Sequence, residues 1–380
     1  MPAPLRHPRA LVWLLLTLIW LAGCAQSTPT PLPLPTLEPA RPQVVGATPT
    51  GPAPTAAAPL PTAIYSPTLR VGLVTDGGLV DDGSLNQSAY AGMQRAAAET
   101  DIAVDVIESV EAGDFGPNLA VFANQSYDVI ITIGNAAGAA AQQMAAQYPA
   151  SRFVVLDPTD DFTAPDLTVV RFDETQLGYL AGALAGLTSQ KKTVGIVVGP
   201  ETPEHQRLLE GYRSGVLAVC DACAVLVTPL DSADDAGRGR TAALRQVGEG
   251  ADVVFGVGGA TGGGALLAAA QQKAWAVGVD VDAYATLFQN GEEAGADHML
   301  GSAVKRADNA VYQLIQDALA DKPLPASLSM DAASAGISLI IAPSATLPAA
   351  AQAGLDKVLA QLASGQLPVI TPTPEPTVAP

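Results

Sequence analysis

The chain has 380 residues, 48% of them hydrophobic, which is room for about two globular units at ~150 residues each. It carries 37 acidic against 19 basic residues, a formal charge of −18, so a nucleic-acid binder held by phosphate contacts is excluded. Three cysteines, at 24, 220 and 223, exclude a disulfide-dense small scaffold.

Residues 1–24 read as an export signal. Arg6 and Arg9 form a positive start, and Leu11 to Ala22 form an apolar stretch too short to span a bilayer core of ~30 Å. The stretch ends at Leu21-Ala22-Gly23-Cys24, small residues before a single cysteine. That pattern matches a bacterial lipobox, in which cleavage precedes Cys24 and its thiol is diacylated. The competing reading is a plain signal peptide with an incidental cysteine. Residues 25–67 are rich in Pro and Thr. Proline fixes φ and removes a donor, so this segment is expected to be an extended, disordered spacer. Residues 371–380 (TPTPEPTVAP) repeat the composition and read as a disordered tail.

Between spacer and tail, short apolar runs alternate with Ala-rich stretches of helical spacing. The runs are Leu69–Thr75, Asp128–Gly134, Arg152–Asp157, Thr193–Gly199, Asp252–Gly258 and Trp275–Asp280. They are nearly continuous in Val and Ile, as in strands covered on both faces. The helical stretches are Asn86–Glu99, Ala136–Gln147, Gln176–Thr188, Pro203–Val219, Thr241–Glu249 and Gly263–Gln272. The alternation predicts an α/β fold of two lobes, each a parallel sheet with helices on both faces. Each run ends on Gly, Asp or Thr, and the carboxyl ends of parallel strands are where such sheets hold ligands.

Machinery for catalysis is not recognisable. The sequence has no Gly-Lys pair for a Walker A loop, and the glycine run Gly256–Gly264 places Thr261 where a G-x-G-x-x-G fingerprint needs its third glycine. His205 and His298 belong to no metal-binding cluster, and there is no G-x-S-x-G elbow. Asp81-Asp82-Gly83 lacks the alternating acidic spacing of a calcium loop. Neither metal nor cofactor is expected, and the chain reads as a binding protein rather than an enzyme. Cys220 and Cys223 are open to several readings: a redox pair, half a metal site, inert thiols or a small structural disulfide.

Four segments in order carry a family resemblance: Asp76–Gln87 (DGGLVDDGSLNQ), Tyr179–Gly182, Gly278–Asp280 and Gly301–Arg306 (GSAVKR). Together, behind a lipobox, they resemble the basic membrane protein family, lipoprotein substrate-binding subunits of ABC importers typified by purine nucleoside receptors. The resemblance implies the type I periplasmic-binding-protein fold. It places an N-terminal lobe at 68–170 plus 306–333 and a C-terminal lobe at 171–305 plus 334–370, with three crossings at a hinge. It also implies a small-molecule solute in the cleft, an ABC permease as partner and attachment to the outer face of the cell membrane through Cys24.

By the same resemblance, Asp280 and Lys305 hold ribose hydroxyls: a carboxylate accepts from vicinal hydroxyls and an ammonium donates to the remaining oxygens. The alternatives for these two are a helix N-cap and a solvated surface charge. Asp81 and Asp82 stand where the family usually has Asn-Asp at the base edge, Asp76 and Asn86 of the same segment are expected to bind the ligand, and Gly258 and Gly262 are expected in a loop whose amides approach it, or else in an ordinary turn. Where nucleoside receptors stack the purine between aromatic rings, this chain has Leu85 and Leu208, and Ala137 at a third such position. The ribose end is therefore expected to be kept and the base end rewritten. The alternative function is a membrane-tethered sensor whose ligand-induced closure signals to another membrane protein.

Overall fold

A computed structural model describes residues 67–366. The export signal with Cys24, the spacer up to residue 66, residues 367–370 and the tail 371–380 lie outside the described residues.

The first half of the body is β1 (Leu69–Val74), α1 (Leu85–Glu99), β2 (Ile102–Ile107), α2 (Phe115–Asn124), β3 (Val129–Ile133), α3 (Gly134–Gln147), β4 (Arg152–Leu156) and β5 (Leu167–Phe172). The chain then enters α4 (Glu174–Thr188), β6 (Thr193–Val198), α5 (Pro203–Val219), β7 (Ala224–Pro229), α6 (Ala236–Gly248), β8 (Val253–Val257), α7 (Gly259–Gln271), β9 (Trp275–Asp280) and β10 (Met299–Lys305). It closes with α8 (Ala307–Leu319), β11 (Ser327–Met330), β12 (Ile337–Ile341) and α9 (Ala349–Ala363). The strands form two six-stranded sheets, ordered β11-β5-β4-β3-β1-β2 and β12-β10-β9-β8-β6-β7. Every pairing is parallel except β10 with β12.

Successive residues in the central strands go to different cores, which is why the sequence runs are continuously apolar. Val129, Ile131 and Ile133 of β3 join the cluster that holds α1, α4, α8 and α9, whereas Ile130 joins the α2–α3 cluster on the other face. Likewise Val253, Phe255 and Val257 of β8 face the α4–α5 side, and Val254 faces α6 and α7. The α/β expectation with parallel sheets agrees with this architecture.

Six strands went unread in the sequence. Four of them, β2, β7, β11 and β12, are the edges of the two sheets. Edge strands cover less apolar surface and mix in polar residues, as in IAVDVI and SLSM. The other two, β5 and β10, carry Arg171 and Ser302 with Lys305, which broke the apolar run.

The glycine run after β8, expected as a ligand loop or an ordinary turn, leads at once into a helix: Gly258 at φ 95° is the N-cap of α7, and Gly259, still left-handed at φ 54°, is the first residue of the helix. A Cβ on Gly262 would lie 2.8 Å from the Val257 backbone, so this glycine lets α7 lie directly on β8.

A second close approach joins α4 to α5. Gly178 and Gly182 on α4 meet the carbonyls of Leu208 and Tyr212, and a Cβ at either position would sit 2.1 Å from the oxygen. Gly211 and Gly215 on α5 meet Thr175 and Tyr179 in the same way. With no side chains between them, the two helices touch backbone to backbone over about two turns.

The chain passes between the sheets three times: at Asp173, at Arg306, and between Met330 and Ile337. These passages are tied together. The Asp173 amide donates to Met330 O at 3.0 Å, the Arg306 amide to Gly336 O at 2.8 Å, and the Ala332 amide to Gln176 Oε1 at 2.9 Å.

Candidate functional site

In each sheet the order of connection reverses once. From β1 the chain goes outward to β2 and then returns to the other side for β3; β6, β7 and β8 repeat the pattern. Parallel sheets hold ligands outside the carboxyl ends of the strands at such reversals. The segments that leave those ends are Thr75–Ser84, Gly134, Asp157, Gly199, Gly258 and the residues after Asp280.

Lys305 ends β10 and is 7% exposed at its side chain. Its Nζ lies 2.6 Å from Asp157 Oδ2 and 3.2 Å from Asp280 Oδ1. Burial alone would push the ammonium pKa down, but the Asp157 and Asp280 carboxylates more than reverse this and hold it above the ordinary lysine range. The lysine is therefore a permanent cation. Both carboxylates are placed by backbone that non-glycine residues seldom adopt: φ is 52° at Asp157 and 70° at Asp280. Aspartate tolerates this region better than most residues, at a cost of order 1 kcal/mol each. Asp280 Oδ1 is buried and takes no hydrogen bond, since its contact with Nζ pairs in charge without hydrogen-bond alignment. A fixed carboxylate oxygen thus keeps an open acceptor beside a fixed ammonium.

Two cavities open near the strand ends, and the first borders this cluster. One of about 500 Å³ is bordered by Asp280 and Lys305, with Gly83, Ser84 and Gln87 from the β1–α1 segment and Thr286 opposite. The other, about 810 Å³, lies between Thr159 and Asp160 after β4 and the first turn of α5, Thr202 to Arg207. Within it Arg207 pairs with the nearly buried Glu174 at 3.0 Å, and Arg171 with Asp161 at 2.9 Å.

Of the residues singled out in the sequence, the structure brings Asp280 and Lys305 together. Asp76 and Asn86 pair with each other: Asn86 Nδ2 donates to Asp76 Oδ1 at 2.8 Å, and the Asp76 amide donates back at 3.3 Å. Asn86 is buried and braces the start of α1, whose N-cap Ser84 accepts from the Asn86 amide at 3.0 Å. Asp82 holds its own loop, accepting from the amides of Leu79 and Ser84 at 3.1 and 2.8 Å. Asp81 is exposed and borders neither cavity. Gly258 abuts Gly199, where a Cβ would come within 2.9 Å, and Gly262 packs on β8. Leu208 is 3% exposed and belongs to the core beside α4 rather than to either cavity. Cys220 and Cys223 form a disulfide at the carboxyl end of α5, at the opposite end of the helix from the cavity.

Sequence reasoning missed Asp157, Glu174, Glu204 and Arg207. A signal for Asp157 was present: its apolar run RFVVLD ends on aspartate as WAVGVD does.

The model of the family described as ABC transporter substrate-binding protein PnrA-like matches residues 69–358. The chain belongs to this family. A relative in Listeria monocytogenes, named CD4+ T-cell-stimulating antigen, is 31% identical, over 64% of this chain and 72% of that protein. The ABC transporter nucleoside-binding protein BmpA of Lactococcus lactis is 27% identical, over 65% of this chain and 74% of that one. Among solved structures, an ABC transporter solute-binding protein from Conexibacter woesei superposes with a TM-score of 0.64 at 21% identity, covering 80% of this chain and 98% of that chain. That likeness agrees with the two-sheet architecture. Membership makes this chain a substrate-binding protein of an ABC transporter, which accords with the binding-protein reading of its sequence.

Proposed function

We propose that the solute is a nucleoside or another ribose-bearing molecule, captured between the two sheets and passed to an ABC permease. The observation that carries this reading is the half-exposed Asp280 carboxylate fixed 3.2 Å from the Lys305 ammonium. Vicinal sugar hydroxyls match that pair: one donates to the carboxylate while the other accepts from the ammonium. The nucleoside-binding name of the Lactococcus lactis relative supports the same ligand class. In this reading the three passages between the sheets act as the hinge, the expected lobe boundaries follow them, and closure around the solute is what the permease detects. The same reading has lipid on Cys24 holding the protein at the outer face of the cell membrane.

The test is calorimetric titration of the full chain, purified in detergent, with nucleosides, free ribose and amino acids. A nucleoside is expected to bind at one site, and Asp280→Ala to reduce its affinity at least a hundredfold. At a hundredfold excess over Kd the ligand should stabilise the fold by about 2.7 kcal/mol. Binding of amino acids but of no ribose-bearing compound would refute the ligand class. Silence across the panel would redirect the reading to the sensor alternative.

A further inference from the structure

The first turn of α5 carries a carboxylate that the site described so far does not use. Thr202 caps the helix, its Oγ1 accepting from the His205 amide at 3.2 Å, and Pro203 occupies the first turn. Glu204 follows and lines the 810 Å³ cavity, facing Thr159 and Asp160 across it. A helix N-terminus favours an ionised glutamate. Here the pKa is nonetheless raised, first by burial, with Lys305 opposing and Asp157, Glu174 and Asp280 adding to the rise. Thr159, on the facing wall of the cavity, follows Asp157 of the lysine cluster by two residues.

The cations nearby are already committed. Lys305 is held by Asp157 and Asp280, Arg207 by Glu174, and Arg171 by Asp161. Glu204 forms no hydrogen bond or ion pair among the described residues. A half-buried carboxylate of this kind gains most from a ligand that brings an N–H donor, and loses most to one that brings a carbonyl or an anion. Two of the three expected ring-stacking positions, Leu208 and Ala137, lie in the core, and Leu85 is half-buried against it. The polar edge of the base must then do the discriminating.

We propose that Glu204 is a specificity-determining residue that selects ligands presenting an amino or ring N–H donor at the end remote from the sugar. This inference rests on the ribose reading above, with the sugar at Asp280 and Lys305 and the base reaching toward α5. The cleft also disfavours nucleotides, because their phosphates would enter a region in which Asp157, Glu174, Glu204 and Asp280 outnumber Lys305 and Arg207.

The test uses pairs of nucleosides that differ in an amino or oxo group: adenosine with inosine, and cytidine with uridine. Affinities are measured by calorimetry on the full chain for wild type, Glu204→Met, Glu204→Gln and Asp280→Asn. The wild type is expected to bind the amino member of the better-bound pair at least tenfold more tightly. Glu204→Met should bring that ratio to within about twofold, and Glu204→Gln, whose amide can donate to a carbonyl, should do the same or reverse it. Asp280→Asn should weaken both members by one common factor and leave the ratio intact. A ratio in Glu204→Met equal to that of the wild type, with both proteins melting alike, overturns the assignment while leaving the ribose reading in place. A wild type that prefers the oxo member overturns it as well. A wild type that binds none of the four overturns both.

Discussion

Replacing Asp157 by alanine removes the nearer of the two carboxylates on a buried lysine. At 2.6 Å, and with an effective dielectric of about 20, the gross attraction between Asp157 and Lys305 is about 6 kcal/mol. Dehydration of the two charges offsets roughly half of this in the intact protein. Deleting one partner of a buried pair costs about 3–5 kcal/mol, because the remaining charge stays out of water. Asp280, at 3.2 Å, still faces Lys305 and is 44% exposed, so the lower end of that range is expected, about 3 kcal/mol. For a body of this size such a loss lowers Tm by roughly 5 °C. The assay is thermal unfolding followed by circular dichroism, with Asp161→Ala as the control, since Asp161 is 97% exposed and pairs with Arg171 at the surface. Lys305→Met strands Asp157, 12% exposed, beside a second carboxylate and should cost at least as much as Asp157→Ala, and the double variant should show coupling of at least 1 kcal/mol. The pH dependence follows from the raised lysine pKa. A base whose folded pKa exceeds its unfolded value contributes its full stabilisation below the unfolded pKa, here 10.5, and loses it only as pH rises toward the folded pKa. The Asp157→Ala penalty should therefore be the same at pH 6 and pH 9. A loss no larger than that of Asp161→Ala, or a penalty that halves between those pH values, would refute the reasoning.

Gly182→Ala forces a methyl against the Tyr212 carbonyl, 2.1 Å away, so the α4–α5 pair must separate; denaturant unfolding should show a loss of about 3 kcal/mol. Leu208→Phe is expected to overpack the core by about 1–3 kcal/mol and to leave nucleoside affinity within twofold of wild type; a tenfold gain would show that the position opens to the ligand after all. Reducing the Cys220–Cys223 disulfide opens a loop of sequence separation 3, so the loss is at most about 2 kcal/mol. Calorimetry under reducing conditions should give unchanged ligand affinity, because the bond sits at the far end of α5 from the cavity.

The central strands were legible because both faces of each are buried, which leaves a continuous apolar signature in runs such as VIITI and VVFGV. β10 was not, although all seven of its residues are buried, because its lysine and serine have partners that only the folded chain supplies. Lys305 finds one carboxylate at the end of the neighbouring β9 and another just after β4 in the other sheet, and Ser302 Oγ accepts from the Ala283 amide at 3.0 Å. Periodicity sees the polar atom and not its partner. Asp280 and Lys305 were reached through family resemblance, but the third member, Asp157, lies outside the four resembling segments, and its pairing spans 148 residues of chain. Glycine misled in the other direction. The run after β8 reads as a ligand loop or an ordinary turn, whereas close packing of α7 on β8 makes it the start of a helix.

The backbone contact between α4 and α5 bears on how such a protein can acquire a new ligand. α4 begins at the first passage between the sheets, and α5 begins at the cavity wall, so the glycine seam mounts one directly on the other. A seam without side chains has nothing to rearrange: it transmits position and absorbs none of it. The four or five residues at the open end of α5 are free of that constraint and reach into the cleft. Exchanging them alters the lining that a solute meets without disturbing how α5 is mounted on α4. Mutation can therefore vary the cavity wall along one helical turn, while the seam behind it is inherited intact.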